Sequence, residues 1–332
     1  HAYLFPADVD RTSKERAGIR TDGILVLHEG EVVFESYAEP WTPDDRHLLW
    51  SASKTVASTL TGIAAHQGLL ELDDSICEYV ELDPASSCDI TVAHLLQMAS
   101  GLDWRETYEG VSPRASSVLA MLYGEGAQDM ARFVGNHPRR DEPGKTWYYS
   151  SGDTNLLMGA VGKVLGEQAG ERFPWQLLFD PIGMDATFER DGAGTYVGSS
   201  YVWSSPRDQA RLGYLWLHDG CWAGERLLPQ DWVSRATTPN DAIRQTARDR
   251  GNNSYGWLVW LNQPVTELGD TEPPWEGAPP DTYAMRGHWG QSITVIPSED
   301  LVIVRSADDR DYSFDLGRMV ALTLDLLAED AP

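Results

Sequence analysis

A serine and a lysine three residues apart are the first candidates for chemistry in this sequence. Ser51 and Lys54 stand at the start of a long, mostly apolar segment, in the stretch LWSASKTV. Residues i and i+3 share one face of a helix, so the Lys54 amine would lie beside the Ser51 hydroxyl. Burial shifts an amine towards its neutral form, which can accept the serine proton and create a nucleophile. Random placement of the 24 serines and four lysines gives about 0.3 such pairs, so a purely structural pair stays open at this point.

Two later segments carry groups that could complete a site. Tyr149 follows a Pro-Gly turn in the stretch PGKTWYYSSGDT, and a cationic neighbour such as Lys54 would lower its pKa and allow proton exchange. A packing role for this ring, with its hydroxyl hydrogen-bonded, is the alternative. The stretch RGHWGQ at residues 286–291 leads into an apolar strand, and its small residues let backbone N–H groups approach a substrate carbonyl.

The residues around these segments predict the elements that must hold them. Residues 23–27 and 32–37 flank a tight polar turn and predict a hairpin. A helix is predicted from Ser51 to about Gln67, which puts Ser51 at a helix N-terminus, where the helix dipole favours developing negative charge. The other predictions are helices at 92–99, 116–123, 127–136, 154–165, 171–178, 206–218 and 229–236, strands at 254–261, 283–286, 292–296 and 301–305, a surface loop at 263–280 and a final amphipathic helix at 314–328.

Strands near both ends of the sequence and a helical middle predict an α+β fold with two lobes. Residues 1–69 and 188–332 would form a discontinuous α/β sheet lobe, and residues 70–187 would form an inserted, mainly helical lobe. We expect the active site in the cleft between the two lobes.

The composition narrows the possible partners. Asp and Glu outnumber Lys and Arg by 51 to 26, and the net charge of −25 disfavours nucleic acid and anionic membranes. No apolar run approaches the 18 residues of a membrane span. The eight histidines show neither His-x-His nor His-Glu-x-x-His spacing. Cys77 and Cys88 could close a small loop and Cys221 has no obvious partner, so free thiols and a disulfide both stay open.

Taken in order, the three segments resemble the Ser-x-x-Lys, Tyr-x-Asn and Lys/His-Thr-Gly motifs of the serine β-lactamase and penicillin-binding superfamily. The similarity is strongest to its class C-like members, and among these to the 6-aminohexanoate-dimer hydrolase and esterase-like branch. Residues 94–102, 181–184 and 204–211 also match, so the resemblance extends over nearly the whole chain. It implies a bacterial protein with an antiparallel sheet flanked by helices and an inserted helical lobe. The compartment, whether periplasmic, secreted or cytoplasmic, stays open.

The resemblance implies a role for each matching residue. Ser51 would be the acylated nucleophile, Lys54 its proton acceptor or electrostatic support, and Tyr149 the proton shuttle to the leaving group. The backbone N–H groups of Ser51 and Gln291 would form the oxyanion hole. The resemblance implies no metal and no cofactor, and the histidine spacing agrees with this. The implied substrate-binding residues are Ser151, His288, Trp289, Gly290, Trp104 and Tyr108. Trp147, Tyr148 and Trp203 are further candidates for an aromatic pocket, with core packing as the alternative for each ring.

Three departures from the β-lactamase motifs point to a different substrate. Ser151 stands where β-lactamases carry an Asn amide, His288 replaces the usual Lys, and Trp289 replaces a small Thr or Ser. A fixed cation and a hydroxyl that would bind a β-lactam carboxylate are therefore missing from the motif. We expect a serine hydrolase, monomeric or homodimeric, that cleaves a small ester or linear amide through an acyl-enzyme. The alternatives are a β-lactamase or D-alanyl-D-alanine carboxypeptidase, and a non-catalytic binding or sensor homologue.

Overall fold

The computed structural model describes residues 1–82, 87–246 and 252–329, and a seven-stranded antiparallel sheet is its largest element. The strands are β1 (Thr21–His28), β2 (Glu31–Tyr37), β3 (His47–Leu48), β4 (Ala186–Phe188), β5 (Val202–Ser204), β6 (Cys221–Trp222), β7 (Glu225–Arg226), β8 (Ser254–Tyr255), β9 (Trp260–Leu261), β10 (Tyr283–Gly287), β11 (Gln291–Ile296) and β12 (Leu301–Ala307). The large sheet has the order β2-β1-β12-β11-β10-β9-β8, and β3, β5 and β4 form a smaller sheet. The pairing of β1 with β12 joins the two ends of the sequence.

Helices cover both faces of the large sheet. They are α1 (Ser53–His66), α2 (Val92–Leu96), α3 (Ser117–Tyr123), α4 (Met130–Gly135), α5 (Ser151–Ala169), α6 (Pro206–Leu217), α7 (Trp232–Ala236), α8 (Asp241–Gln245) and α9 (Leu316–Glu329). Helix α6 packs on β11 and β12 from one side. Helix α9 packs on the other side, where its residues Leu316, Met319 and Val320 are buried. This is the predicted α+β architecture of an antiparallel sheet flanked by helices.

Alternating side chains connect the sheet to two separate apolar clusters. Ile24 and Ile303 belong to the cluster beneath α9, whereas Leu25 and Val304 belong to the larger core on the opposite face. Successive residues of a strand point to opposite faces, so the central strands β1 and β12, covered on both sides, are almost continuously apolar. The larger core continues from the sheet into the helices of residues 92–169.

The division into two lobes remains our proposal, and the distribution of elements supports it. The strands of the large sheet come from residues 21–37 and 254–307. Helices α2 to α5 come from residues 92–169, inside the predicted helical lobe. Helix α1 lies between these groups and contacts both α5 and β10.

Helix α1 is the central element of the molecule. Its residues from Ser53 to Ala64 are all buried, although seven of these twelve are polar or glycine. Most of its side chains are small, so neighbouring elements pack closely around the helix. The hydroxyls of Thr59 and Thr61 donate to carbonyl groups one turn earlier in the same helix. The helix can therefore run through the protein interior despite its polar residues, and its first turn, next to Ser51, is held in place.

Three predicted elements differ in the structure. The helix predicted at 171–178 is a π-helical turn at Trp175–Phe179, because the Asp180 N–H donates to the Trp175 carbonyl five residues earlier. The single strand predicted at 254–261 is two short strands, β8 and β9, separated by a turn in which Leu258 is left-handed. The loop at 263–280 is anchored rather than free on the surface, since Trp275 is buried beneath α9.

Two further features concern the whole chain. A disulfide joins Cys77 to Cys88, and Cys221 is a free, partly exposed thiol. Among the described residues, no helix is both long enough and apolar enough to cross a membrane.

Candidate active site

The turn that carries Ser51 is held against the small sheet. The Leu49 N–H donates to the Val202 carbonyl at 2.9 Å, and the Val202 N–H donates to the Ser53 hydroxyl at 3.2 Å. Trp50 adopts a left-handed φ of 48°, so the chain turns sharply and enters a short 3₁₀ helix, Trp50–Ala52, that runs into α1. Left-handed backbone is rare for a tryptophan and requires support from its surroundings. The half-buried Ser51 therefore stands at a fixed turn at the start of the buried helix.

Lys54 points its amine at three oxygen atoms. Its Nζ lies 2.9 Å from Ser51 Oγ, 2.9 Å from Ser151 Oγ and 3.0 Å from the Ser199 carbonyl. Only 1% of the Lys54 side chain is exposed. Burial lowers the pKa of this amine to about 8, against an opposing influence of the Glu106 charge. At pH 7, roughly a tenth of the Lys54 side chains therefore carry a neutral amine.

The three oxygens determine where the neutral amine directs its lone pair. The Ser199 carbonyl can only accept a hydrogen bond. The Ser151 hydroxyl gives its single proton to Glu106, so it too must accept from Lys54. These partners take both protons of a neutral amine, and the lone pair then faces Ser51. The arrangement leaves Lys54 ready to accept the serine proton.

Glu106 is a residue of the candidate site that the sequence analysis missed. Its carboxylate accepts hydrogen bonds from Trp104 Nε1, the Tyr108 hydroxyl, and both the backbone N–H and the hydroxyl of Ser151. It stands four residues after the matched stretch 94–102, but glutamate is common on surfaces and its spacing gave no signal. In the folded chain, the Ser151 hydroxyl contacts both side chains and so connects Glu106 to Lys54.

Tyr149 stands over the nucleophile from the other side. Its ring lies 5.0 Å from the Lys54 amine and stacks on Trp260 at a centroid distance of 5.2 Å. Burial, reinforced by the Glu106 charge, raises the pKa of Tyr149, and a hydrogen bond with Ser51 opposes the rise. The sequence analysis expected a cationic neighbour such as Lys54 to lower this pKa, and that prediction is wrong because burial and the Glu106 carboxylate outweigh the lowering influences of the Ser51 hydrogen bond and of Arg286. Tyr149 is therefore a neutral phenol that can relay protons, not a phenolate base.

The β10–β11 hairpin carries the third motif. Gly287 and Gln291 are paired across the hairpin end, and Trp289 between them is left-handed, with φ 60°. A Cβ atom on Gly287 would lie 2.0 Å from the Leu49 carbonyl oxygen. Glycine is required there because the hairpin touches the backbone beside Ser51. This contact brings the predicted oxyanion donors, the N–H groups of Ser51 and Gln291, to the same end of the sheet.

A buried ion pair anchors this hairpin from below. The Arg305 guanidinium donates to the Gly290 carbonyl at 3.0 Å and to both oxygens of Asp309. The Gln291 side chain reaches in the same direction and bonds both backbone groups of Ala307. The turn is therefore fixed by β12 and the residues after it.

His288 does not supply the cation found in the β-lactamase motif. Its Nε2 lies 3.5 Å from Glu109, and burial lowers the pKa of the imidazole more strongly than Glu109 raises it. The ring packs beside Tyr108 and Trp289. His288 is thus a mainly neutral, aromatic part of the cleft wall near neutral pH.

Ser51 opens onto a cleft of about 400 Å³. The predicted residues that line it are Ser51, Tyr108, Tyr149, His288, Trp289, Gly290 and Gln291. Lining residues that the sequence analysis did not single out include Trp260, Arg286, Tyr312 and Phe314. Trp260 and Phe314 belonged to predicted elements, but nothing in their spacing showed that they would meet at the site.

Several residues that were predicted to line the substrate pocket do not line this cleft. Trp104 is 2% exposed and Ser151 is 1% exposed, so both support Lys54 and Glu106 from within the protein. Trp147 is buried against Tyr255 and Trp260. Tyr148 lies beneath Arg140, and Trp203 donates to Glu189, so neither ring lines the cleft. Of the rings expected in an aromatic pocket, Tyr108 and Trp289 line the cleft, together with Trp260, Tyr312 and Phe314, which were not expected there.

In the part of the chain that the structure describes, no three His, Cys, Asp or Glu side chains are grouped so that they could hold a metal ion. The chemistry derived above uses only side-chain and backbone groups of this chain.

Comparison with known proteins gives a consistent result. The sequence profile of the Beta-lactamase family matches residues 8–324. The chain is 31% identical over 254 residues to the 6-aminohexanoate-dimer hydrolase of Paenarthrobacter ureafaciens, a match that covers 70% of this chain and 61% of that relative. This chain therefore matches less than two thirds of that relative's length.

Solved structures are similar in fold at low sequence identity. A family VIII carboxylesterase superposes with a TM-score of 0.67 at 16% identity, covering 91% of this chain and 90% of that one. A class C beta-lactamase from Rhodobacter sphaeroides gives a TM-score of 0.60 at 19% identity, covering 92% and 93%. The expected β-lactamase/penicillin-binding fold is confirmed by these matches.

Proposed function

Because the chain belongs to the beta-lactamase family of serine hydrolases, we propose that it cleaves a carboxylic ester or a small linear amide through an acyl-enzyme on Ser51. One observation carries the proposal. Ser51 Oγ lies 2.9 Å from the amine of Lys54, whose pKa burial lowers to about 8. The relatives named as a 6-aminohexanoate-dimer hydrolase and a carboxylesterase support the substrate class.

Acylation follows from the positions of the protons. Neutral Lys54 accepts the Ser51 proton while Oγ attacks the substrate carbonyl carbon. The carbonyl oxygen becomes an oxyanion, which the N–H groups of Ser51 and Gln291 would stabilise. When the tetrahedral intermediate collapses, the bond to the leaving group breaks, and the leaving oxygen or nitrogen takes a proton from the Tyr149 hydroxyl. Tyr149 recovers its proton from protonated Lys54, whose amine lies beside its ring.

Deacylation reverses these transfers with water in place of the leaving group. A water molecule attacks the acyl carbon, and its proton passes through Tyr149 and Lys54 back to the departing Ser51 oxygen. Tyr149 begins and ends as a phenol, in keeping with its raised pKa.

The principal alternative keeps the site and changes the substrate to a β-lactam or a D-alanyl-D-alanine peptide. The buried Ser151, already bonded to Glu106 and Lys54, disfavours it because no side-chain amide is free to hold the substrate there. Nitrocefin turnover without esterase activity would establish this alternative instead.

The proposal is tested with the variant Ser51→Ala and a p-nitrophenyl ester of a short acid. We expect turnover to fall by at least about 10³-fold and an acyl adduct on Ser51 to disappear from the mass spectrum. Thr61→Ala in α1 is a control, because that hydroxyl bonds only within its own helix. Full activity of Ser51→Ala would refute the mechanism. A wild-type protein that neither turns over esters nor reacts with a fluorophosphonate would instead be a non-catalytic binding homologue.

A further inference from the structure

Asn155 is a buried amide on α5, one helical turn after Ser151. Only 1% of the residue is exposed. Its Oδ1 accepts a hydrogen bond from the Ser199 N–H at 3.0 Å. Its amide nitrogen points the other way, towards the sulfur atoms of Met121 and Met130, at 3.4 and 3.3 Å. Sulfur is a weak acceptor, so the strong hydrogen bond of this side chain is the one from Ser199.

The NH2 end of Asn155 lies in surroundings that would suit a leucine. Burying an amide is unfavourable when one end of it meets only weak partners, and a leucine of nearly the same shape would avoid that cost. The orientation of the amide is also fixed, because reversing it would point the NH2 group at the Ser199 N–H. What this residue provides is therefore a carbonyl oxygen for one backbone N–H.

Ser199 carries the backbone carbonyl that accepts from Lys54 at 3.0 Å, and it lies in the turn before β5. Asn155 holds the peptide group before Ser199 through its N–H. The peptide group after Ser199 is held by the Ser200 N–H, which donates to the Val197 carbonyl at 3.2 Å. Because each peptide group is planar and both are anchored, the Ser199 carbonyl cannot rotate away from the amine.

We propose that Asn155 is a positioning residue, which holds the Ser199 carbonyl against the Lys54 amine. This carbonyl takes one proton of the neutral amine and so leaves the lone pair directed at Ser51. The proposal rests on the proposed function of the site. Without a fixed carbonyl, the amine could turn and donate to the serine, and a donor in that position cannot accept the serine proton. Helix α5 thus aligns the base from two points one turn apart, since Ser151 contacts the amine directly and Asn155 acts through Ser199.

The contact also affects the titration of Lys54. The Ser199 carbonyl accepts from the protonated amine as well and so stabilises the charged form. Loosening this carbonyl should therefore lower the pKa of Lys54 below its value of about 8. The titratable groups that face the amine are the Glu106 carboxylate and the Tyr149 phenol. Asn155 is bonded to a backbone N–H and two methionines, so its replacement leaves both groups in place.

The test replaces Asn155 with leucine, which keeps the shape and removes the acceptor. We expect Asn155→Leu to lower the plateau of kcat/KM for the p-nitrophenyl ester by about 10- to 100-fold, with less than about threefold change in KM. The pH at which kcat/KM reaches half of its plateau should fall by roughly half a unit or more. Asn155→Asp keeps an oxygen at the same position, so its plateau should stay within about threefold of the wild type, with a midpoint no lower. Met121→Leu, which changes only a weak partner of the NH2 group, should alter neither value.

Nuclear magnetic resonance gives the midpoint of the Lys54 titration without any turnover. The chain has four lysines, so labelling lysine with carbon-13 at the ε position gives few signals, and the signal missing from Lys54→Arg belongs to Lys54. Its chemical shift is followed from about pH 5 to 11 in the wild type and in Asn155→Leu. We expect the pKa in the variant to be lower by the same half unit or more, roughly.

Three results would overturn the proposal. A normal rate and a normal midpoint in Asn155→Leu would show that the Ser199 carbonyl needs no support from the amide. A loss of rate with both midpoints unchanged would mean that Asn155 only supports the local structure. An Asn155→Asp variant as slow as Asn155→Leu would mean that the acceptor oxygen is not the group that matters.

Two further provisions keep the outcome clear. If Asn155→Leu does not fold, Asn155→Val, which fills less space and also lacks the acceptor, replaces it in the same measurements. Turnover that survives Ser51→Ala would refute the proposed function. The resonance titration would still decide whether Asn155 holds the carbonyl against Lys54, because it needs no catalysis.

Discussion

Lys54 owes its proposed reactivity to two opposing influences on one amine. Burial lowers its pKa, the Glu106 carboxylate raises it, and burial is the larger of the two, which leaves the pKa at about 8. Ser151 stands between the amine and the carboxylate, and keeps them from forming a direct ion pair that would hold the proton on Lys54. The amine therefore changes its protonation state near pH 8, close to the pH at which most proteins function.

The pH dependence of activity should follow this amine. Only neutral Lys54 can accept the serine proton, so kcat/KM for a neutral ester should rise about tenfold per pH unit below pH 8 and level off above it. Tyr149, with its raised pKa, stays protonated through this range. Initial rates between about pH 5 and 10, with the spontaneous rate subtracted, measure the profile.

Lys54→Arg is the matching control, because a guanidinium keeps its proton at every pH in this range. It should lose both the rise with pH and about 10³ of the rate. A wild-type rate that falls as the pH increases through 8 would contradict Lys54 as the base.

At this scale, sequence reasoning finds residues that occur in a motif and misses residues that occur singly. Ser51, Lys54 and Tyr149 were found because their spacing and order carry information. Glu106 and Arg286 were missed because a single glutamate or arginine looks the same in sequence whether it is paired on a surface or enclosed in a cleft. The partners of both side chains are set only when the chain folds.

Among the elements, the β10–β11 hairpin and the Ser51 turn form one unit. Gly287 allows the hairpin to approach the Leu49 carbonyl, and both structures depend on a left-handed tryptophan, Trp50 in one and Trp289 in the other. The two tryptophan rings meet edge to face at 5.3 Å. Each turn thus supports the other across the mouth of the cleft.

Gly287→Ala should move the β10–β11 hairpin away from the Ser51 turn without unfolding the protein. The added methyl group would lie 2.0 Å from the Leu49 oxygen, so the hairpin must shift away from Ser51. Displacing one oxyanion donor costs about 10²- to 10³-fold in kcat, so we expect a loss of that size with a smaller change in KM. Steady-state kinetics on the p-nitrophenyl ester measure both.

Gly166→Ala in α5 is a matched glycine control, because a Cβ there meets no other atom within 4 Å. It should keep full activity and raise helix stability by up to about 1 kcal/mol. Normal kcat in Gly287→Ala would show that the hairpin contact does not support catalysis.

Element types were more predictable than their hydrogen-bond patterns. Apolar spacing identified the hairpin, α1, α6 and α9, although only α6 and α9 bury one face, whereas α1 is buried on all sides from Ser53 to Ala64. It could not distinguish the π-helical turn at Trp175–Phe179 from an α-helix, since the two differ by one residue in hydrogen-bond register. The same periodicity predicted β8 and β9 as one strand, because a leucine in the sequence does not indicate the left-handed turn at Leu258.

At the scale of the whole molecule, the Cys77–Cys88 disulfide lies outside residues 21–37 and 254–307, which form the large sheet. It closes a loop with a sequence separation of 11 next to α2, whose first residue Val92 is buried in the larger core. The link restricts the unfolded chain and so favours the folded one.

Replacing both cysteines, Cys77→Ser with Cys88→Ser, should lower the free energy of unfolding by about 3 kcal/mol, the loop-closure value for this length. Urea unfolding followed by tryptophan fluorescence measures the change. Cys221→Ser, which removes the free thiol, should leave the midpoint almost unchanged. A reductant that shifts the midpoint of the double variant would show that the stabilisation has another source.

The pairing of β1 with β12 has a consequence for biosynthesis. Translation passes the proposed nucleophile, Ser51, long before residue 307, where the strands beside its site end. Until residues 283–307 have left the ribosome, the emerging polypeptide carries Ser51 without the β10–β11 hairpin and the β1–β2 hairpin without β12. The proposed hydrolytic activity would therefore arise only after β12 has paired with β1, a contact between residues that are far apart in sequence and therefore slow to meet.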